Sequence, residues 1–144
     1  MATKKSINTF FGEYRWLSNF HPCRVFEYPS VEHAYQASKT HDQKSRNAIL
    51  MAASAYDAKR LGKVAPKRSD WEKVKLAVME KCLRAKFTDP KLRAKLIATG
   101  EAELIEGNTW GDVYWGVCNE RGENHLGILL MKIRKDLHEE ALRM

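Results

Sequence analysis

Helix-start signals recur along this chain, and they leave room for little except a mainly helical fold. Ser30 stands before Val31, Ser54 before Ala55, and Asp89 before Pro90. A short polar side chain at such a point accepts a hydrogen bond from a first-turn amide, and proline just after it removes no bond the helix needs. Ser69-Asp70-Trp71-Glu72 adds a capping box of the S-x-x-E kind. Helices are therefore predicted from Val31 to about Thr40, over Lys44–Ala53 and over Ala55–Val64. A long helix follows the capping box, with Trp71, Val74, Val78, Cys82 and Leu83 at helical spacing. Another opens at Asp89-Pro90 and closes at Gly100. The last starts near Asn124, with Leu126, Leu129, Leu130, Ile133 and Leu137 as its core stripe.

Strand signals are few and short. Arg24-Val25-Phe26-Glu27-Tyr28 alternates with period two and stops at Pro29, and Leu104-Ile105 reads as a second short strand. The 144 residues contain no repeat, low-complexity tract or long Pro/Gly/Ser linker. The expectation is an α+β fold: one compact, mainly helical domain over 1–144, with a core of about 7–138 and a few short strands.

Hydrophobic residues make up 44% and charged residues 30%, which suits a packed domain and not a disordered chain. No apolar run approaches the roughly 20 residues that span a bilayer. Met1-Ala2-Thr3-Lys4-Lys5 lacks the apolar stretch of a signal peptide, so a cytoplasmic location without membrane partners is expected. Cys23, Cys82 and Cys118 are three in number, widely spaced and without a C-x-x-C pair. They read as free thiols. The net charge of +7 favours phosphate-bearing partners, either nucleotides or nucleic acids.

Two stretches concentrate aromatic, carboxylate, glycine and asparagine residues in and beside loops. One is Gly12-Glu13-Tyr14-Arg15-Trp16-Leu17-Ser18-Asn19-Phe20 leading into the Ser30-capped helix; the other is Trp110-Gly111-Asp112-Val113-Tyr114-Trp115-Gly116 followed by Asn124. Loops so composed bind ligands more often than they merely connect. Glu32 lies in the first turn of the first helix, and Gln36 and Lys39 follow it at i+4 and i+7, on one face with Tyr35 alongside. Helix-dipole stabilisation alone accounts for many acidic residues at such a place. A carboxylate there, near a lysine, is expected to stay ionised, which suits a general base or a charge that stabilises a cationic transition state.

Asp112 is the second carboxylate candidate. An Asx turn among glycines explains it equally well, and its pairing with Glu32 is not given by the sequence. Trp16, Phe20, Tyr35, Trp110, Tyr114 and Trp115 are rings that stack on a base or fill a core. Gly12 and Gly116 allow close backbone approach, and Ser18, Asn19 and Asn124 offer hydrogen bonds, although Asn124 serves equally as the cap of the last helix. Lys39, Arg60, Lys67, Arg68, Arg84 and Lys86 are phosphate candidates, with Lys39 first. A nucleophilic role for Lys39 is a further alternative. The chain has no phosphate-binding G-x-x-x-x-G-K loop, no G-x-G-x-x-G and no H-E-x-x-H, and its five histidines do not fall at metal-ligand spacing. Neither a metal nor a cofactor is expected.

The residues resemble the YbiA-like, or NADAR, family of N-glycosidases. The resemblance is carried by Trp16-Leu17-Ser18-Asn19-Phe20, Ser30-Val31-Glu32-His33-Ala34-Tyr35-Gln36-Ala37-Ser38-Lys39, Leu83-Arg84-Ala85-Lys86-Phe87, Tyr114-Trp115-Gly116 and Asn124-His125-Leu126-Gly127, in that order. It implies a YbiA-like fold and hydrolysis of an N-glycosidic bond on a ribose phosphate or ADP-ribose. The substrates it implies are phosphoribosylamino-pyrimidine intermediates of riboflavin synthesis, or ADP-ribose on guanine, the latter extending to ADP-ribosylated nucleic acid. It puts the catalytic glutamate at Glu32 and pocket positions at Asn19, Asp112 and Trp115. One departure is Val117-Cys118-Asn119 after Trp115-Gly116, where a polar Asp-Gly run would continue the pattern. Two other readings remain open: a non-catalytic module that binds ADP-ribose or NAD, and a small basic nucleic-acid-binding protein.

Overall fold

The computed structural model describes residues 5–144. The reading of residues 1–4 as part of a segment unlike a signal peptide lies outside the described residues. The fold is mainly helical. Among the described residues, six α-helices, α1 (Val31–Ser38), α2 (Gln43–Leu50), α3 (Ala55–Val64), α4 (Trp71–Lys86), α5 (Pro90–Ala98) and α6 (His125–Leu142), accompany two short strands, β1 (Ser6–Ile7) and β2 (Glu103–Leu104). A 3₁₀ segment covers Gly12–Leu17. No helix among the described residues is long and apolar enough to cross a membrane.

The chain forms two compact units. One runs from Asn19 to Lys86; the other joins the residues up to Ser18 with Phe87–Met144. In the Asn19–Lys86 unit, α1 packs against α2, α3 and α4. Every residue of α1 from Val31 to Ala37 is buried, including Glu32, His33 and Gln36. A helix buried on all sides must satisfy its polar groups internally. The Ser30 hydroxyl accepts the His33 backbone N–H at 3.1 Å and lies 2.7 Å from His33 Nδ1. His33 Nε2 reaches the Ala52 carbonyl at 3.1 Å. A proton on Nε2 satisfies the whole set: Nε2–H donates to Ala52, and Nδ1 accepts the Ser30 O–H.

In the other unit, β1 and β2 pair in parallel, Ser6 with Glu103 and Ile7 with Leu104. α6 packs on β2 and on α5. Leu126, Leu129, Leu130 and Ile133 are buried as the stripe requires, while Leu137 is only half-buried and Arg134 is buried instead. Arg134 Nη1 donates to Thr99 Oγ1 at 2.9 Å, which gives the buried guanidinium a partner at the end of α5.

Three local expectations need correction. Arg24–Tyr28 is not a strand but a tight turn, closed by mutual Val25 and Tyr28 backbone bonds of 2.9 Å, with Phe26 at φ 58. Alternation of side chains does not reveal a left-handed residue in the middle of a segment. The Ser69–Glu72 capping box does not form: Arg68 takes the Asp70 carboxylate at 2.6 and 2.9 Å, and Lys75 takes Glu72 at 2.7 Å. Charged partners outbid the backbone amide that an acidic residue three positions on would otherwise bond. Helix α2 starts one residue earlier than expected, behind an Asp42 cap, and stops at Leu50. Ser54 and Asp89 cap α3 and α5 as expected, and Gly100 follows α5 at φ 64.

Replacing Ser30 by alanine removes both the α1 cap and the partner of His33 Nδ1. Stability should fall by about 2 kcal/mol, read as a lower urea midpoint with an unchanged slope.

Candidate active site

The Asn19–Lys86 unit brings together one half of the residues singled out from the sequence. Glu32 is 6% exposed, although it is a carboxylate in the first turn of a helix. Its backbone N–H, one of the amides a helix leaves without an internal partner, donates to the Asn19 carbonyl at 3.1 Å. The Gln36 side chain one turn on donates from Nε2 to Glu32 Oε1 at 2.9 Å. The i, i+4 geometry that the sequence pattern anticipated is thus used within the helix. Lys39 caps the C-terminal end of α1 and is half-buried. Burial pushes its ammonium below the ordinary lysine range; Glu32 and Glu72 oppose the shift, and Lys67 and Lys59 add to it.

Asn19 is buried, with Nδ2 3.6 Å from Met79 Sδ. Its Oδ1, together with Gln36 Oε1, has no hydrogen-bond partner among the described residues. Buried acceptors left open in this way destabilise a chain unless a ligand or water supplies a donor. Phe20 is partly exposed, with Lys59 Nζ 5.9 Å from its ring centre. Tyr35 is buried against Trp71, ring centres 5.0 Å apart, so its ring is a core ring.

The other unit holds Gly12, Trp16, Ser18, Trp110, Asp112, Tyr114, Trp115, Gly116 and Asn124. Asp112 Oδ1 accepts the backbone N–H groups of Tyr114 and Trp115 at 3.1 and 2.9 Å, which is an Asx turn. Asn108, which sequence reasoning missed, bonds the Asp112 backbone at both ends: Oδ1 accepts its N–H at 3.0 Å and Nδ2 donates to its carbonyl at 2.8 Å. Gly116 is buried where any Cβ would overlap Glu106. Tyr114 and Trp115 pack edge to face at 4.8 Å, and Tyr114 lies 4.5 Å from the His125 ring. Trp110 stays 53% exposed and meets the equally open Phe11 ring at 6.2 Å. Trp16 is buried beneath Lys95 Nζ, Ser18 ends the 3₁₀ segment by an N–H bond to Arg15, and Gly12 opens it at φ 59 on the surface.

Asn124 does not cap α6 with its side chain. It adopts φ 53, and its amide joins other backbone: Oδ1 accepts Glu106 N–H at 3.0 Å and Nδ2 donates to the Leu104 carbonyl at 2.9 Å. A cavity of about 550 Å³ in this unit is lined by Phe11, Asn108 and Val117 among others, and none of the candidates from the sequence lines it.

Two of the basic and thiol candidates are core groups. Lys86 is 1% exposed, and burial lowers its ammonium to about 8. Cys82 is buried, and its thiol is pushed up to about 12, first by burial and then by the Glu32 charge. Arg60 pairs with Asp57 and Lys67 with Glu72 on the surface.

The sequence profile of the NADAR domain matches residues 8–138. The chain belongs to the NADAR family. Among its relatives is an N-glycosidase YbiA of Shigella flexneri serotype 5b, 43% identical over 133 residues, which cover 87% of this chain and 82% of the relative. A riboflavin biosynthesis protein of Vibrio vulnificus is 37% identical over 88% of this chain and 36% of its own. The NMR structure of the E. coli protein YbiA matches with a TM-score of 0.87 at 38% identity, over 99% of this chain and 91% of that one. The NADAR match spans both stretches in which aromatic and carboxylate residues cluster.

Lys86 supplies a pH test of the folded state. Its folded value lies below the ordinary 10.5, so between about pH 8 and 10.5 the unfolded chain holds the extra proton. Stability contributed at this position rises with pH across that window, by on the order of 3 kcal/mol. In Lys86→Met, urea denaturation should show that rise missing relative to the parent protein.

Proposed function

We infer that this NADAR domain is an N-glycosidase, a hydrolase that cleaves the N-glycosyl bond of a small nucleotide-like substrate. The observation that carries the reading is the buried Glu32 carboxylate, held by its own backbone bond to Asn19 and by the Gln36 amide. In the proposed reaction the C1′–N bond breaks, water supplies the new C1′–OH, and its proton goes to the departing nitrogen. Positive charge develops at C1′ as the bond lengthens. A fixed carboxylate stabilises that charge more than water does because it need not reorient, and the same group accepts the proton of the attacking water.

The finer assignments follow the same chemistry. Asn19 Oδ1 is an open acceptor for a substrate hydroxyl or N–H. Lys39 suits a phosphate better than a nucleophilic role, because a half-buried ammonium gains most from an anion. Trp110, with its exposed ring, is the candidate for stacking on a base. Asp112 contributes by bracing the aromatic loop through the Tyr114 and Trp115 amides. The substrates we favour are phosphoribosylamino-pyrimidine intermediates of riboflavin synthesis, in keeping with the name of the Vibrio relative. ADP-ribosylated guanine, free or within nucleic acid, is the second candidate, and the cytoplasm is the setting that suits either.

Incubation with both substrate types, read by mass spectrometry for free base, tests the proposal. The protein should release base from at least one of them. Glu32→Gln, which keeps the shape and removes the charge, should lower turnover by about 10³-fold with the fold intact. Tight binding without release by the parent protein would instead mark a non-catalytic module, and full turnover by Glu32→Gln would remove Glu32 from the chemistry.

A further inference from the structure

Gln36 is constrained at both ends of its amide, and a glycine on the neighbouring helix makes that possible. Nε2 donates to Glu32 Oε1. The reversed amide would set a carbonyl oxygen against the carboxylate, so this bond fixes which way the amide faces. The oxygen end is then turned toward α3, where Gly62 is buried. A Cβ at Gly62 would overlap Gln36 Oε1, and it would lie 2.6 Å from Cδ and 3.0 Å from Cβ of the same side chain. At that position glycine presents only a Cα–H, a weak donor. Gln36 Oε1 is left buried without an ordinary hydrogen bond among the described residues.

Two unfavourable choices therefore meet at one contact. Glycine in the interior of a helix is less stable there than alanine. An amide oxygen buried without a partner loses the solvation it had in water. Packing alone would be better served by alanine at 62 and an apolar residue at 36. The combination does secure one thing, the direction of the Glu32 carboxylate.

We propose that Gly62 is a positioning residue for N-glycosidic cleavage: by carrying no side chain on α3 it admits the Gln36 amide that holds Glu32 in its reactive orientation. The inference rests on the N-glycosidase reading given above. Gly62 and Gln36 act through Glu32 and make no contact with the reacting atoms.

Gly62→Ala should lower kcat by about 10- to 100-fold through misplacement of Glu32, with KM little changed. In a Gln36→Ala background the same substitution meets no amide, so it should cause no further loss. Gln36→Asn, which shortens the side chain by one methylene and leaves Gly62 untouched, should reproduce the kcat loss even if Gly62→Ala folds poorly. The side-chain amide signals of Gln36, followed by ¹⁵N–¹H NMR, should move and lose protection from exchange in Gly62→Ala, as they should in Glu32→Ala. Wild-type kcat in either Gly62→Ala or Gln36→Asn, or losses that multiply in the Gly62→Ala/Gln36→Ala pair, would overturn the proposal. Should the parent protein cleave neither substrate, the function would fall, and the amide signals would still decide the arrangement: shifted signals in Gly62→Ala support it, and unshifted signals refute it.

Discussion

Keeping a carboxylate inside a buried helix is the constraint that shapes the Asn19–Lys86 unit. An ion-forming group taken from water loses several kcal/mol of solvation unless polar partners replace it. The Gln36 amide, one turn on, donates to the Glu32 side-chain oxygen, and the Asn19 carbonyl, from the loop before the helix, accepts the Glu32 backbone N–H. The Ser30 cap and its bond to His33 set where the helix begins, and hence where residue 32 points. His33 in turn anchors the segment just after α2 through the Ala52 carbonyl. Each of these contacts stabilises the unit modestly, and together they keep one acidic side chain in a defined orientation.

The second unit solves a different problem, that of giving shape to a long loop. Between Gly107 and Gly122 there is no helix and no extended ladder, only the isolated bridges Gly107–Val117 and Cys118–Arg121. Side chains reinforce the scattered backbone bonds: Asn108 grips the Asp112 backbone, Asp112 grips the amides of Tyr114 and Trp115, and Asn124 ties the start of α6 to Leu104 and Glu106. A loop braced in this way presents Trp110 to solvent while Tyr114 and Trp115 pack on each other and on His125.

Local physics was readable from the residues. Ser30, Ser54 and Asp89 cap the helices they precede because a cap depends only on three or four neighbouring residues. The face shared by Glu32, Gln36 and Lys39 was readable for the same reason. What depends on distant residues was not. The parallel pairing of Ser6–Ile7 with Glu103–Leu104 has no signature in two-residue strands. The turn at Phe26 hides inside an alternating pattern. The Asp70 and Glu72 carboxylates meet cations supplied by Arg68 and Lys75, and Lys86, a phosphate candidate by sequence, is buried. Gly62 and Asn108 escaped notice altogether, yet each left a trace: an isolated glycine within a helical pattern marks a close approach, and asparagine beside glycine marks a turn.

Chemical rescue tests the central claim most directly. Glu32→Ala leaves a space the size of a small carboxylate at the first turn of α1. Turnover by that variant, measured with and without added formate on the substrate the parent protein cleaves, should be nearly absent alone and should rise with formate concentration. Turnover at the parent rate without formate would contradict the claim that the buried carboxylate carries the reaction.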